Sequence, residues 1–247
     1  MENSIIKNEE ASLKEEAFLA KRVQRRSFLK YAGAGAAGVA LVAAGCKQSN
    51  FNPDDPNNSM GGNKPVSLGS GDVGILNYAY ALEQLEAAFY TQVIATQFSG
   101  MTDTERLLLT DIRDHEIAHR EFFKAAITSA APTMVIGNLE VDFSSINFSS
   151  RASVLGTAKA FEDLGVSAYD GAGYLLKNAT YLLLAGKIVS VEARHAALIR
   201  ELLEPNSFLG DQVDANSVNI SRTPAQVLAI AGTYIKTKID ASGLPTS

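Results

Sequence analysis

Ile112-Arg113-Asp114-His115-Glu116-Ile117-Ala118-His119 and Ile188-Val189-Ser190-Val191-Glu192-Ala193-Arg194-His195 are two versions of one sentence, and the fold is read outward from them. Each ends in Glu-x-x-His. Each also continues an apolar stripe stepping by three or four: Leu109, Ile112, Glu116, His119, Phe123 in the first, and Leu184, Ile188, Glu192, His195, Ile199, Leu202 in the second. That period is helical, so glutamate and histidine point with the apolar residues toward a core. A single Glu-x-x-His on a helix is ordinarily a solvated i,i+3 pair. Here the chain has 3 histidines, and two of them complete the motif on buried stripes.

The segments upstream of each motif also match. Leu76, Ala79, Glu83, Glu86 and Tyr90 form one stripe, and Leu155, Ala158, Glu162, Gly165 and Tyr169 form the other. Aligning Leu82–Tyr90 with Phe161–Tyr169 pairs Glu83 with Glu162, Tyr90 with Tyr169, and Glu86 with Gly165, as in a duplicated helix pair. The periodicity predicts helices over about 72–97 (N-cap Asp72), about 103–130 (cap Thr102 or Asp103, after the turn Ser99-Gly100-Met101), about 150–170 and about 175–203. A fifth is predicted over about 224–238, with Thr223 as cap and Pro224 at its first position. About 20 residues, 131–150, separate the second and third, with alternation over Leu139–Phe143. Two short links and one long crossover describe an all-α four-helix bundle.

Every one of the four helices puts a carboxylate into that core. Buried carboxylates left unpaired cost several kcal/mol each, so cations must neutralise them. Glu83, Glu116, Glu162 and Glu192 carry four negative charges, two neutral imidazoles add none, and two divalent metal ions balance the set. The expected ligands are therefore Glu83, Glu116, His119, Glu162, Glu192 and His195, with Glu83 bridging or terminal. Glu86, which has only Gly165 opposite it in the repeat, is read as a supporting or substitute carboxylate. Tyr90 and Tyr169 are core tyrosines whose hydroxyls either find an ordinary partner or hold a ligand carboxylate. His115, one residue off the stripe, is read as partly exposed or as a supporting residue. No catalytic residue is assigned from the sequence.

Composition narrows the class. With 46% hydrophobic and 20% charged residues the 247-residue chain is globular rather than disordered. A net charge of −5 without a basic block outside the N-terminus speaks against nucleic acid. The single Cys46 excludes an internal disulfide and any centre built on several cysteines, including a rubredoxin-type electron relay.

The N-terminus reads as a transport address. Residues 1–30 are charged and end in Arg25-Arg26-Ser27-Phe28-Leu29-Lys30, followed by the uncharged run Tyr31–Gly45, which falls short of the roughly 20 residues needed to span a bilayer. Arg25-Arg26-x-Phe-Leu-Lys resembles a twin-arginine export signal, a route that carries folded proteins, often with metal already loaded. Ala43-Ala44-Gly45-Cys46 resembles a lipoprotein processing site, although Ala43 stands where Leu is usual. The expected organisation is a signal peptide over 1–45, a flexible tether over 46–71 rich in Asn, Pro, Asp and Gly, and one domain over 72–247. The implied partners are the twin-arginine translocase, the lipoprotein-processing machinery and a membrane reached through lipid on Cys46, with homo-oligomer formation left open. The expected location is the periplasm or cell envelope.

The order Glu83, Glu116-x-x-His119, Glu162, Glu192-x-x-His195 over four helices resembles the ferritin-like superfamily. Leu76–Tyr90, followed by the two Glu-x-x-His stretches and Glu162–Tyr169, is similar to an exported bacterial ferritin-like domain family related to desiccation-related proteins. The resemblance covers about residues 72–238. It implies a dinuclear site, iron ahead of manganese, in a superfamily that includes ferroxidases, peroxidases, manganese catalases and oxygenases. The expected function is Fe(II) oxidation or peroxide detoxification. The alternative is a non-catalytic stress-associated protein whose metals stabilise the bundle.

Overall fold

A computed structural model describes residues 64–247. Arg25, Arg26, Cys46 and the expected tether up to residue 63 lie outside the described residues. Four long helices carry the architecture: α1 (Gly71–Thr96), α2 (Asp103–Ala130), α3 (Arg151–Gly173) and α4 (Ala179–Leu203). A short α5 (Pro224–Ala231) continues into a 3-10 turn at Gly232–Tyr234, and two-residue strands β1 (Val66–Ser67) and β2 (Ile239–Asp240) pair in parallel. α1 packs on α2, α3 on α4, and α1 on α3. The all-α bundle with one long crossover and a further C-terminal helix is thus the fold.

Local chemistry sets most boundaries. Thr102 and Glu105 form a reciprocal capping box at the start of α2, and Thr223 with Gln226 does the same for α5, where Pro224 supplies a preset first turn. Asn178 caps α4 through the Thr180 amide at 2.8 Å, so α4 begins four residues later than the apolar pattern predicts. Asp72 is not the cap of α1. Its carboxylate instead accepts from the amides of Lys177 and Asn178, each at 2.8 Å, and ties the α3–α4 turn to the start of α1. α5 is shorter than predicted because the chain beyond it is claimed by other backbone partners. Lys236 donates to Glu140 O at 2.8 Å, and Val66 donates to Lys238 O at 2.7 Å. The predicted alternation near 139–143 reduces to one antiparallel bridge, Val141 with Ile235. The ordered domain also begins before residue 72, since Leu68 is fully buried and donates to Asp240 O.

α1 is buried on nearly every side from Gly74 to Tyr90. Two amide side chains seven residues apart let the crossover lie against it. Asn77 donates to Met134 O (2.8 Å) and accepts from the Ile136 amide (3.2 Å), while Gln84 donates to Gly137 O (3.3 Å) and accepts from the Leu139 amide (2.9 Å). Buried backbone groups that no helix satisfies are satisfied there. Gly171 serves a close approach: a Cβ at that position would lie 1.8 Å from Arg222 O, where the chain leading to α5 crosses α3.

Candidate metal centre

Each helix contributes to one buried cluster. Glu83 comes from α1, Glu116 and His119 from α2, Glu162 from α3, and Glu192 and His195 from α4. All four glutamates are 0% exposed. Their donor atoms form two overlapping groups, each within 4.8 Å: Glu83, Glu116, His119 and Glu192 in one, and Glu116, Glu162, Glu192 and His195 in the other. Glu116 and Glu192 belong to both groups, and Glu83 and Glu162 to one each. All six residues read as ligands from the sequence are therefore brought together.

The atoms converge without satisfying one another. Nδ1 of His119 lies 2.7 Å from Glu192 Oε1, 3.6 Å from Glu83 Oε2 and 3.7 Å from Glu116 Oε2. Nδ1 of His195 lies 2.8 Å from Glu116 Oε1 and 3.5 Å from both Glu162 Oε2 and Glu192 Oε2. Yet both Nδ1 atoms, both oxygens of Glu116 and Glu192, and one oxygen each of Glu83 and Glu162 are buried without an aligned hydrogen bond. Native interiors rarely leave so many polar atoms unmet in one place. Oxygen and imidazole nitrogen around a common centre suit a divalent first-row cation.

The electrostatics follow from the crowding. Burial, then the neighbouring Glu192 charge, pushes the Glu116 carboxyl well up. Burial raises Glu162 too. Glu192 goes the other way: burial opposes its charge, but the imidazoles of His119 and His195 hold it at about 2. His119 resists charging through burial and is nonetheless driven up to about 12 by Glu116, Glu192 and Glu83. His195 moves in the same direction, burial again opposing and Glu162 leading the rise. Without cations, protons take up the excess negative charge.

A second layer of side chains holds these carboxylates. Tyr90 on α1 donates to Glu162 on α3, and Tyr169 on α3 donates to Glu83 on α1. Each tyrosine therefore serves the glutamate of the opposite helix, a reciprocity that requires α1 and α3 to run antiparallel and that sequence spacing alone does not reveal. Glu86 is buried but belongs to neither donor group. Burial, followed by the charges of Glu116 and Glu192, pushes its carboxyl well up. Its Oε1 lies over Gly165, where a Cβ would approach within 3.0 Å. His115 is exposed on α2, and its Nδ1 lies 2.9 Å from His195 Nε2. When Nδ1 of His195 is free of a proton, Nε2 carries it and donates to His115. This contact fixes the ring that presents Nδ1 to the carboxylates.

The family model described as a ferritin-like domain matches residues 71–205, more than half of the chain. The chain belongs to the ferritin-like domain family. The match spans α1 to α4 and ends just beyond α4, so the ferritin-like helices hold the whole cluster while α5 and β2 lie past it. A twin-arginine translocation pathway signal sequence matches residues 22–42 and includes Arg25 and Arg26. The ferritin-like protein is thus handled by the twin-arginine translocase and exported across the cytoplasmic membrane. Among the described residues, no helix is long and apolar enough to cross a membrane. Comparison with curated proteins finds no match.

Proposed function

We propose that this exported ferritin-like protein holds two divalent cations, iron ahead of manganese, and works as a redox protein on Fe(II) or peroxide. The observation that carries the reading is the pair of overlapping donor groups whose buried atoms lack hydrogen-bond partners. His119 with Glu83 would hold one cation and His195 with Glu162 the other, with Glu116 and Glu192 shared. Bound iron or manganese would supply a change of oxidation state and coordination positions for an oxidant. The chain's own residues set the conditions for that chemistry. Tyr90 and Tyr169 orient the two unshared carboxylates, and His115 orients His195. The apolar packing around the cluster limits water. Glu86 belongs to neither donor group, and its burial favours the neutral carboxyl, which would add no charge. Four ionised glutamates then match two divalent cations.

Metal analysis of protein exported by its own host tests the reading. The expected result is two transition-metal ions per chain, iron exceeding manganese, with oxidation of added Fe(II) or consumption of peroxide. Protein that carries no transition metal, and gains no thermal stability on loading with Fe(II) or Mn(II), would overturn it. Metal without turnover would favour the non-catalytic role in which the cations stabilise the bundle.

The anchor is a separate proposal, supported by the Ala43-Ala44-Gly45-Cys46 pattern. Cys46→Ser should allow translocation but abolish lipid labelling, whereas Lys at both Arg25 and Arg26 should leave full-length precursor in the cytoplasm. Lipid labelling that persists in Cys46→Ser would rule the anchor out.

A further inference from the structure

The first turns of α4 carry apolar residues on two faces. One stripe, running from Tyr181 to Ile188, turns toward the bundle. Ala179, Leu182, Leu183 and Gly186 repeat the same i, i+3, i+4, i+7 spacing on the outside and are exposed. Leu182 is 44% exposed, Leu183 60%, and Tyr174, just past the end of α3, 60%. Leu182 lies over Gly173, where a Cβ would stand 3.6 Å from its Cδ1, so the α4 stripe meets the turn that carries Tyr174. Farther along α4 the outward face becomes polar, with Lys187, Ser190 and Arg194 exposed. Single apolar residues scattered over a surface need no explanation, but a contiguous patch confined to one end of a bundle marks an interaction site.

That end is also where the chain enters the domain. Asp72, the second residue of α1, accepts from the amides of Lys177 and Asn178, which sets the start of α1 beside the α3–α4 turn. Both oxygens of Asp72 are engaged in this way, while Lys177 and Lys187 are exposed at the edge of the apolar stripe. The chain from Cys46 to Lys64 spans at most about 65 Å even at full extension, so the α1 end of the bundle is the end nearest any lipid on Cys46. We infer that Tyr174, Leu182 and Leu183 seat this end of the bundle on a lipid bilayer, with Lys177 and Lys187 reaching its anionic headgroups. The inference rests on the Cys46 anchor for what brings the bilayer near, though not for the contact itself. Leucine and tyrosine flanked by lysine suit the membrane interface, where lysine stems lie along apolar surface and the ammonium groups stay in water. A patch of this size binds weakly by itself. Joined to an anchor it becomes a second attachment and fixes which way the domain faces.

The chain has no tryptophan, so Leu183→Trp makes a single reporter of this surface, and Leu209→Trp reports on the exposed loop beyond the other end of α4. Both are made in the mature chain, residues 46–247, carrying Cys46→Ser so that no lipid is attached. With vesicles of phosphatidylcholine and phosphatidylglycerol, the emission of Leu183→Trp should shift to the blue and that of Leu209→Trp should not. In the same chain without tryptophan, Leu182→Glu and Leu183→Glu should each lower vesicle partition about tenfold. Both should keep the native circular dichroism spectrum, because the side chains replaced are already exposed. No shift at Leu183→Trp, or an equal shift at both reporters, would overturn the seat. Equal binding to phosphatidylcholine alone would overturn the part given to the lysines. A blue shift that appears without vesicles and grows with protein concentration, abolished by Leu182→Glu, would give the patch to a second copy of the chain and overturn the bilayer. If the native protein takes up no lipid label on Cys46, the anchor fails by itself, and the Leu183→Trp emission still decides the contact.

Discussion

The two helix pairs, α1–α2 and α3–α4, present the same donors in different surroundings. Glu83 answers Glu162, Glu116 answers Glu192, His119 answers His195, and the two tyrosines exchange partners across α1 and α3. Around that shared centre the likeness stops. Glu86 faces a bare Gly165, and His115 lies against His195 while Val191 stands at the position of α4 that matches His115 in the repeat. Ligation demands fixed donors at fixed spacing, so both halves keep them. Proton supply and ring orientation need only one copy each. The pseudo-symmetric centre is therefore expected to behave as two unequal metal positions.

The sharpest way to break this comparison is to remove shared and unshared carboxylates in turn. Glu192→Ala or Glu116→Ala should leave almost no metal, because each withdraws an oxygen from both groups. Glu83→Ala and Glu162→Ala should each lose about one of two cations, read as metal per protein after purification. Equal losses from all four would mean that the groups do not overlap as described.

Removing the cations altogether tests what the common centre is built for. In metal-free protein the raised Glu86, Glu116 and Glu162 and the raised His119 mean that the folded chain holds protons the unfolded chain releases. Stability from a raised group is complete below its unfolded pKa and lost as pH rises through the folded one. Glu192 contributes in the opposite sense, but its contribution is lost only as pH falls toward about 2. The melting temperature of the metal-free domain should therefore fall as pH rises above about 5, the His119 contribution being lost only toward about 12. The loaded protein should gain stability over that range, since its ligands must give up their protons to bind. Calorimetry on both forms reads the two slopes, and parallel slopes would contradict the assignment.

Smaller effects separate like from unlike. Tyr90→Phe and Tyr169→Phe remove equivalent donors and should weaken metal binding to similar degrees, about 10–100-fold. Glu86→Ala should keep both metals after purification and act chiefly on oxidation rate. His115→Val, which copies Val191 from the other half, should have the least effect, confined to the His195 position and visible as a change in one of two binding steps by calorimetric titration. A matching change in both steps would show that the halves are coupled more tightly than their surroundings indicate.

The duplicated spacing made the bundle and the six donors legible, because helical period alone forces Glu and His at i,i+3 onto one face. What stayed hidden depended on how helices pass one another. Spacing places Tyr90 and Glu83 on the same stripe, but only the antiparallel crossing sends the Tyr90 hydroxyl to Glu162. Likewise, helical spacing does not tell that Glu83 joins one group while Glu116 joins two. Asp72 has the composition of a helix cap and serves a distant turn instead. Asn77 and Gln84 interrupt an apolar helix at a seven-residue interval, a visible signal whose meaning needed the crossover in place beside them.

The parallel pairing of β1 with β2 has a mechanical consequence. Any pull on the chain ahead of residue 64 enters the domain along β1, where the Val66 amide is bonded to Lys238 O at 2.7 Å and the Leu68 amide to Asp240 O at 3.0 Å. Both bonds lie across the strand direction, so a load along it shears them together rather than opening them one by one. Leu68, fully buried, resists the same displacement. β2 thus takes up tension before it reaches α1, and the helix bearing Glu83 is shielded from force by a strand remote from it in sequence.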